Sequence, residues 1–238
     1  MDKSLTVNVL CHLADIHIPQ LDKRHPEFRI VFENTRISLE KEAPDLIVLT
    51  GDLFHDKLKI TNECMILAKE FLLMLSVIAP VMITRGNHDF ASTVKIKKMD
   101  CIEALMKIGD MPNVTYLNQS GFWIYNNLIF VVWHHGDHYS PWNEIELEEG
   151  KRDTSFHIND YQELINKHGT RENIESAGFT YIDLFHDPIR GCSTDGGFVM
   201  DGDNYLPISA FKSNFLLAGD IHRREIFFRS DSQTTTLF

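Results

Sequence analysis

Cysteine is scarce and its spacing carries no motif. Cys11, Cys64, Cys101 and Cys192 are spread over 238 residues without a CxxC pair. That excludes a zinc ribbon or a disulfide scaffold and predicts free thiols in a reducing compartment. Long apolar runs are missing too. The longest, Phe71 to Ile83, is broken by Ser76 and Pro80, short of the roughly 20 residues a membrane span needs. Met1-Asp2-Lys3 leads into the chain without the apolar core or cleavage site of a secretion signal. A soluble protein of the cytoplasm, or of the nucleus in a eukaryotic cell, with no membrane partner, is the expectation. Positive charge is also in short supply. Against 34 acidic residues stand 23 lysines and arginines, a net charge of -11, the opposite of the balance that nucleic-acid backbones favour. Two features weaken that objection. Several acids are candidate metal ligands whose charge a cation would cancel, and Glu144 to Glu149 reads as a solvated acidic loop. No internal repeat or low-complexity tract is present.

What the chain does contain is 43% apolar residues, enough for one substantial core, so a single domain over 1–238 is expected. Leu5 to Leu10 alternates like a strand. Asp45–Thr50, Pro80–Thr84, Thr180–Phe185 and Asn214–Ala218 are short apolar runs that read as strands buried on both faces. Helices lie between the early strands. In Glu27 to Ala43 the residues Phe28, Val31, Phe32 and Leu39 follow a 3.6 spacing, with Pro26 in the first turn. Asn62 is placed to cap a second helix whose apolar face is Cys64, Leu67, Ala68, Phe71, Leu72 and Leu75. A third helix is expected over Lys95 to Ile108. From Gly121 to Trp133 two strand-like runs meet at Asn126-Asn127, a pair suited to a hairpin turn, so the second half is expected to be the more antiparallel. Asp160-Tyr161-Gln162-Glu163 resembles a capping box within a polar, weakly patterned stretch from Ser140 to Gly178, read as a surface insertion. Ile226 to Arg229 and Thr234 to Phe238 form an apparent second hairpin. The pattern predicts an α/β protein with one mixed sheet or two packed sheets flanked by helices.

Five polar clusters follow the predicted strands. They are Asp15-Ile16-His17, Gly51-Asp52 continuing to His55-Asp56, Gly86-Asn87-His88-Asp89, His186-Asp187 after Phe185, and Gly219-Asp220-Ile221-His222. Ligands on neighbouring strand tips converge on one edge of a sheet. Carboxylates can bridge two cations, imidazoles and an amide fill the remaining positions, and an all-oxygen and nitrogen set suits Mn²⁺, Fe²⁺ or Zn²⁺. Glycine before a strand-tip ligand lets the backbone turn sharply. Two divalent ions about 3.5 to 4 Å apart activate water and bind the oxygens of a phosphate under in-line attack. Phosphoester hydrolysis is the chemistry this set predicts.

In order and spacing the clusters resemble the five motifs of the calcineurin-like metallophosphoesterases, over nearly the whole chain. Gly51-Asp52-Leu53-Phe54-His55-Asp56 and Ile221-His222-Arg223-Arg224-Glu225 are similar, within that superfamily, to SbcD-type and phage recombination nucleases. The resemblance implies a sandwich of two mixed β-sheets flanked by α-helices, with a dinuclear metal site at strand C-terminal tips. It implies that Asp15, His17, Asp52 and His222 hold one metal, that Asp52 bridges to a second completed by Asn87, His186 and Asp220, and that Mn²⁺ is the favoured ion. His88 would contact the phosphate and serve the leaving oxygen, with Asp89 orienting it, and His55 would approach the phosphate or DNA. Asp220 departs from the family, which usually has histidine there. Three ligand carboxylates then face four positive charges, so tighter metal binding and weaker activation of water are expected.

The resemblance further implies a DNA exonuclease or endonuclease of repair or recombination, an SMC-like ATPase partner, and a homodimer through helices such as Asn62 to Ala79. Nucleases of this kind usually continue into a capping domain, which is expected to be absent here. A small-substrate phosphodiesterase or phosphatase, or a scaffold that has lost its metals, are the competing readings. His135 and His138 stand as alternatives to His186. Lys57, Lys59, Arg85, Lys95, Lys97, Lys98, Arg190, Arg223 and Arg224 are candidates for a phosphate track. Phe122, Trp123, Tyr125, Phe130 and Trp133 read as core, and Cys192 with Gly196-Gly197 as a surface turn bordering the site.

Overall fold

The computed structural model describes residues 6–57, 59–90, 99–135, 141–142, 158–228 and 235–237. The chain forms two compact units, one of residues 8–118 and one of residues 119–238 with the N-terminal residues up to Val7.

The first unit alternates strand and helix: β1 (Leu10–Leu13), α1 (His25–Glu42), β2 (Leu46–Thr50), α2 (Asn62–Ile78), β3 (Val81–Thr84), α3 (Cys101–Ile108) and β4 (Val114–Tyr116). The sheet order is β1-β2-β3-β4 with every pair parallel, so this sheet is not mixed as expected. A helix between successive strands supplies the crossover that parallel pairing requires. Every residue of β2 and β3 is buried, as their continuous apolar runs predict. β1 starts at Leu10, later than the predicted Leu5 to Leu10. The Asp45 carboxylate takes the N–H groups of Asn8 and Val9 at 2.8 and 2.9 Å, and the ladder begins only where Leu10 meets Leu46.

All six residues predicted for the inner face of α2 are buried. Thr61, not Asn62, caps the helix, its hydroxyl accepting from the Cys64 N–H at 3.2 Å. In α1, Phe32 and Leu39 are buried and Phe32 stacks on Phe71 of α2 with centroids 4.2 Å apart. Val31 is exposed, against expectation: at 100° per residue it lies about 80° from the centre of the Phe28, Phe32, Leu39 stripe. α3 begins at Cys101 because Asp100, with extended backbone, caps it through the Glu103 N–H at 2.7 Å. Lys95, Lys97 and Lys98 lie outside the described residues.

The second unit contains β5 (Gly121–Tyr125), β6 (Leu128–Trp133), α4 (Ile158–His168), α5 (Arg171–Ser176), β7 (Thr180–Phe185), β8 (Phe215–Ala218), β9 (Ile226–Phe228) and β10 (Thr235–Leu237). Its sheet runs β5-β6-β7-β8-β10-β9. The predicted hairpins form, β5 with β6 and β9 with β10, and Asn126 takes a left-handed φ of 53° at the first turn. Pairings from β6 through β7 and β8 to β10 are parallel, so this sheet is mixed and, with its two hairpins, more antiparallel than the first, both as expected. α4 starts at Ile158, which puts Asp160 inside the helix instead of at its cap. Among the described residues of the predicted surface insertion, Tyr161, Leu164 and Ile174 are buried in the core, and Tyr161 stacks on Phe122 at 4.1 Å. The acidic run 144–149 and His138 lie outside the described residues.

One buried carboxylate sits in the middle of β7. Asp183 is fully buried and accepts from the Trp133 Nε1 at 2.7 Å, the Trp142 Nε1 at 3.0 Å and the Ser213 N–H at 3.0 Å. Among the described residues, no helix is long and apolar enough to cross a membrane.

Candidate metal centre

Because β1, β2 and β3 are parallel neighbours, their C-terminal ends lie along one edge of the first sheet. The loops leaving them are zipped together. His17 donates its N–H to the Asp52 carbonyl at 2.9 Å, Ile18 donates to Leu53 at 2.9 Å, and His55 donates to Ile18 at 3.0 Å. This brings Asp15, His17, Asp52, His55 and His88 together. His17 Nε2 lies 3.9 Å from Asp15 Oδ1 and 3.6 Å from Asp52 Oδ2. The other Asp52 oxygen accepts from the His88 N–H at 2.7 Å. Ring centroids of His17 lie 4.9 Å from His88 and 5.4 Å from His55, and one ring nitrogen from each of the three falls within 4.8 Å of the others. The His88 Nδ1 meets the His55 carbonyl oxygen.

These distances suit a shared cation. Two donors each about 2.1 Å from one ion, at angles of about 90° to 135°, stand about 3.0 to 3.9 Å apart. Backbone strain marks the same residues. Asp15, His17 and Asp52 have left-handed φ values of 55°, 49° and 52°, a conformation that costs non-glycine residues about 1–3 kcal/mol and concentrates at functional sites. Of the glycines before the ligands, Gly51 alone takes a left-handed φ. The turn is therefore made largely by the ligands, not by the glycines as the sequence implied. Asp89 is buried and holds the loop backbone, accepting from the N–H groups of Gly86 at 2.9 Å, Phe54 at 3.1 Å and Leu53 at 3.3 Å. Asn87 lies on this loop, half-buried.

The second unit has its own pair of adjacent parallel strand tips, β7 and β8, joined beyond the ladder by Gly219 donating to the Phe185 carbonyl at 3.1 Å. His186 follows β7, fully buried, with Nε2 3.9 Å from Asp220 Oδ1. Asp220 also has a left-handed φ, 74°. His222 is exposed. His135 is engaged elsewhere, its Nδ1 2.7 Å from Asp187 Oδ1, and the His134 N–H donates to Ser120 Oγ at 2.9 Å.

A thiolate role is disfavoured in both units: burial pushes the Cys64 and Cys101 thiols up to about 12 and raises those of Cys11 and Cys192. Cys192 is fully buried, not on a surface turn, although the Gly196-Gly197 turn beside it is exposed. One network was not foreseen. Ser193 accepts from Arg223 Nη1 at 3.0 Å and donates its N–H to Glu225 at 3.1 Å, fixing the segment after His222. Its members are too far apart in sequence for any local pattern to have shown it.

The basic candidates divide. Lys57, Lys59 and Arg224 are exposed, Arg190 bonds to the Gly202 carbonyl and Asp203, and Arg85 is turned toward Asp100 and Phe90, which removes it from a surface track. Phe122, Phe130 and Trp133 are buried as core, while Trp123 and Tyr125 are half-buried.

A Danio rerio dimetal phosphatase is similar in structure over 96% of this chain and 86% of that one, with 12% identity and a TM-score of 0.51. The phosphopantetheinyl hydrolase PptH of Mycobacterium tuberculosis gives 13% identity and a TM-score of 0.47 over 96% of this chain and 87% of that one. The uncharacterized protein R555 of Acanthamoeba polyphaga mimivirus is 28% identical over 226 residues, 93% of this chain, which spans 15% of that protein's length. The family model for calcineurin-like phosphoesterases matches residues 9–224, and with an α/β fold of two sheets flanked by helices the chain belongs to that family of phosphoester-hydrolysing enzymes.

Proposed function

We propose that the chain is a two-metal phosphodiesterase that cuts DNA in repair or recombination, with an SMC-like ATPase as partner. The observation that carries the hydrolytic part is the gathering of Asp15, His17, Asp52 and His88 on one sheet edge, with ligand spacing and left-handed backbone at three of the four. Asp15, His17, Asp52 and His222 would hold one divalent ion, and Asp52, Asn87, His186 and Asp220 a second, with Mn²⁺ preferred. Bound there, the ions supply an activated water and electrophilic contacts to phosphate oxygens. The protein's own groups do the rest. Asp52 spends one oxygen on the His88 N–H and keeps the other for metal. With the His88 Nδ1 against a carbonyl oxygen, that nitrogen carries a proton and keeps it, so in the doubly protonated ring Nε2 is the atom that would hand its proton to the leaving oxygen, leaving the imidazole neutral. Support for DNA comes from the nuclease-like sequence around His55 and His222, and from the exposed Lys57, Lys59 and Arg224.

The net charge of -11 and the withdrawal of Arg85 from the surface favour a second reading, a phosphodiesterase of small substrates. Single- and double-stranded DNA and bis(p-nitrophenyl) phosphate, assayed with Mn²⁺, separate the two. Cutting of DNA is expected, and His88→Ala should lower it by about 10² to 10⁴-fold. Hydrolysis of the small ester alone would overturn the DNA reading; full activity in His88→Ala would remove the role of His88.

Asp220→His changes the ligand charge by one. Mn²⁺ affinity is expected to fall about tenfold by calorimetric titration, equivalent to about 1.4 kcal/mol, while turnover per loaded enzyme rises. Unchanged affinity would contradict the charge argument.

A further inference from the structure

We propose that Arg85, Phe90, Asp100 and Tyr116 form a clasp that fixes the loop from Gly86 to Asp89 and so positions Asn87 and His88. Arg85 and Phe90 are the residues flanking that loop. The Arg85 guanidinium lies 4.3 Å from the Phe90 ring centroid, so the two ends of the loop are closed on each other by a cation–π contact. The charge of Arg85 is directed inward. Its side chain is 15% exposed and its Nη1 lies 3.6 Å from Oδ2 of Asp100, which is 5% exposed. The same Asp100 oxygen accepts from the Tyr116 hydroxyl at 2.6 Å, while Oδ1 caps α3 through the Glu103 N–H at 2.7 Å. A second tie joins loop and helix: the Cys101 N–H donates to the Asp89 carbonyl at 3.1 Å.

The loop is thus fastened to the start of α3 at both ends, at Arg85 through Asp100 and at Asp89 through Cys101. Tyr116 ends β4, whose residues pair with β3 up to Ile83, two positions before Arg85. It braces the Asp100 carboxylate against the strand that carries the loop. Burial and the neighbouring carboxylate push the Tyr116 phenol well above its ordinary range, so it remains a hydrogen-bond donor. An arginine next to a metal loop could instead hold a substrate phosphate, but a guanidinium already facing a buried carboxylate and an aromatic ring is committed to the fold. Arg85 and Asp100 are therefore positioning residues.

The clasp rests on the phosphoesterase reading for its consequence, not for its geometry, and two readouts keep the two apart. The first is amide hydrogen exchange in the metal-free protein. Asp100→Asn, which retains the capping oxygen, and Phe90→Leu should speed exchange at Gly86 and His88 by about tenfold or more, with β2 unchanged. The second is hydrolysis of bis(p-nitrophenyl) phosphate with Mn²⁺. Both variants should lower kcat by about 10 to 100-fold with KM within about twofold, because a misplaced group costs rate more than binding. Phe90→Tyr should restore kcat, since the ring face is kept. Tyr116→Phe, the mildest change, should move in the same direction and guards against loss of folding in the others. Unchanged exchange with unchanged kcat would overturn the clasp. So would a raised KM at full kcat in Asp100→Asn, which would assign Arg85 to substrate. If the wild type hydrolyses neither this ester nor DNA, the functional reading fails and the exchange data alone decide the clasp.

Discussion

Asp52→Asn should lower phosphodiester hydrolysis by at least about 10³-fold, equivalent to about 4 kcal/mol of transition-state stabilisation. The substitution is nearly isosteric, and asparagine tolerates the left-handed φ of 52° at this position, so the backbone has no reason to move. What changes is charge and donor count. Asp52 is almost completely buried between the His88 N–H at 2.7 Å and His17 Nε2 at 3.6 Å from its two oxygens. An amide has one oxygen. It can accept from His88 or serve a metal beside His17, and its NH₂ then faces the other partner. Steady-state kinetics with Mn²⁺, alongside the number of ions bound per chain, measures both losses. A variant with half the wild-type rate would show that Asp52 is not a bridging ligand.

The second large effect is on stability. Asp183→Ala should cost about 3–5 kcal/mol in denaturant unfolding, since it strands two buried indole N–H groups and the Ser213 N–H, each costing about 1–3 kcal/mol when unpaired. The wild type should in addition show a pH dependence of defined sign. Burial raises the Asp183 carboxyl from 3.8 to about 6, although the hydrogen bonds from Trp133, Ser213 and Trp142 oppose the rise. A carboxyl with a raised pKa in the folded state binds its proton more tightly there than in the unfolded chain. Its contribution is fully present below about pH 4 and is lost as pH rises through about 6. Relative to Asp183→Asn, the wild type should therefore lose on the order of 3 kcal/mol between pH 4 and pH 7. Tryptophan emission should report the same transition, because Trp133 and Trp142 donate directly to the titrating group. A pH-independent difference between wild type and Asp183→Asn would show that Asp183 is ionised throughout.

How much of this was legible in the sequence depended on the range of the interaction. Continuous apolar runs gave β2, β3, β7 and β8, and the six inward residues of α2 followed from their period alone. The ligand clusters were legible because each follows a strand directly, and parallel strands put successive tips on one edge. Periodicity failed where a single polar residue decided a boundary. Asp100 sets the start of α3 at Cys101, Thr61 takes the cap expected of Asn62, and the Asp45 carboxylate delays β1. Contacts between distant residues left no local trace: Asp89 with Leu53 and Phe54, Arg85 with Asp100, Asp183 with two tryptophans. Nor did the pattern show that Asp15, His17, Asp52 and Asp220 would themselves adopt left-handed backbone, because the modest preference of aspartate and histidine for that region does not single out positions.

Two divalent ions held by these carboxylates and imidazoles and sharing Asp52 would be magnetically coupled. Electron paramagnetic resonance of the protein titrated with Mn²⁺ reads that coupling. A spin-coupled dimanganese signal that saturates at two ions per chain and is lost in Asp52→Asn is expected. Only uncoupled, single-ion spectra at every loading, unchanged by Asp52→Asn, would contradict it.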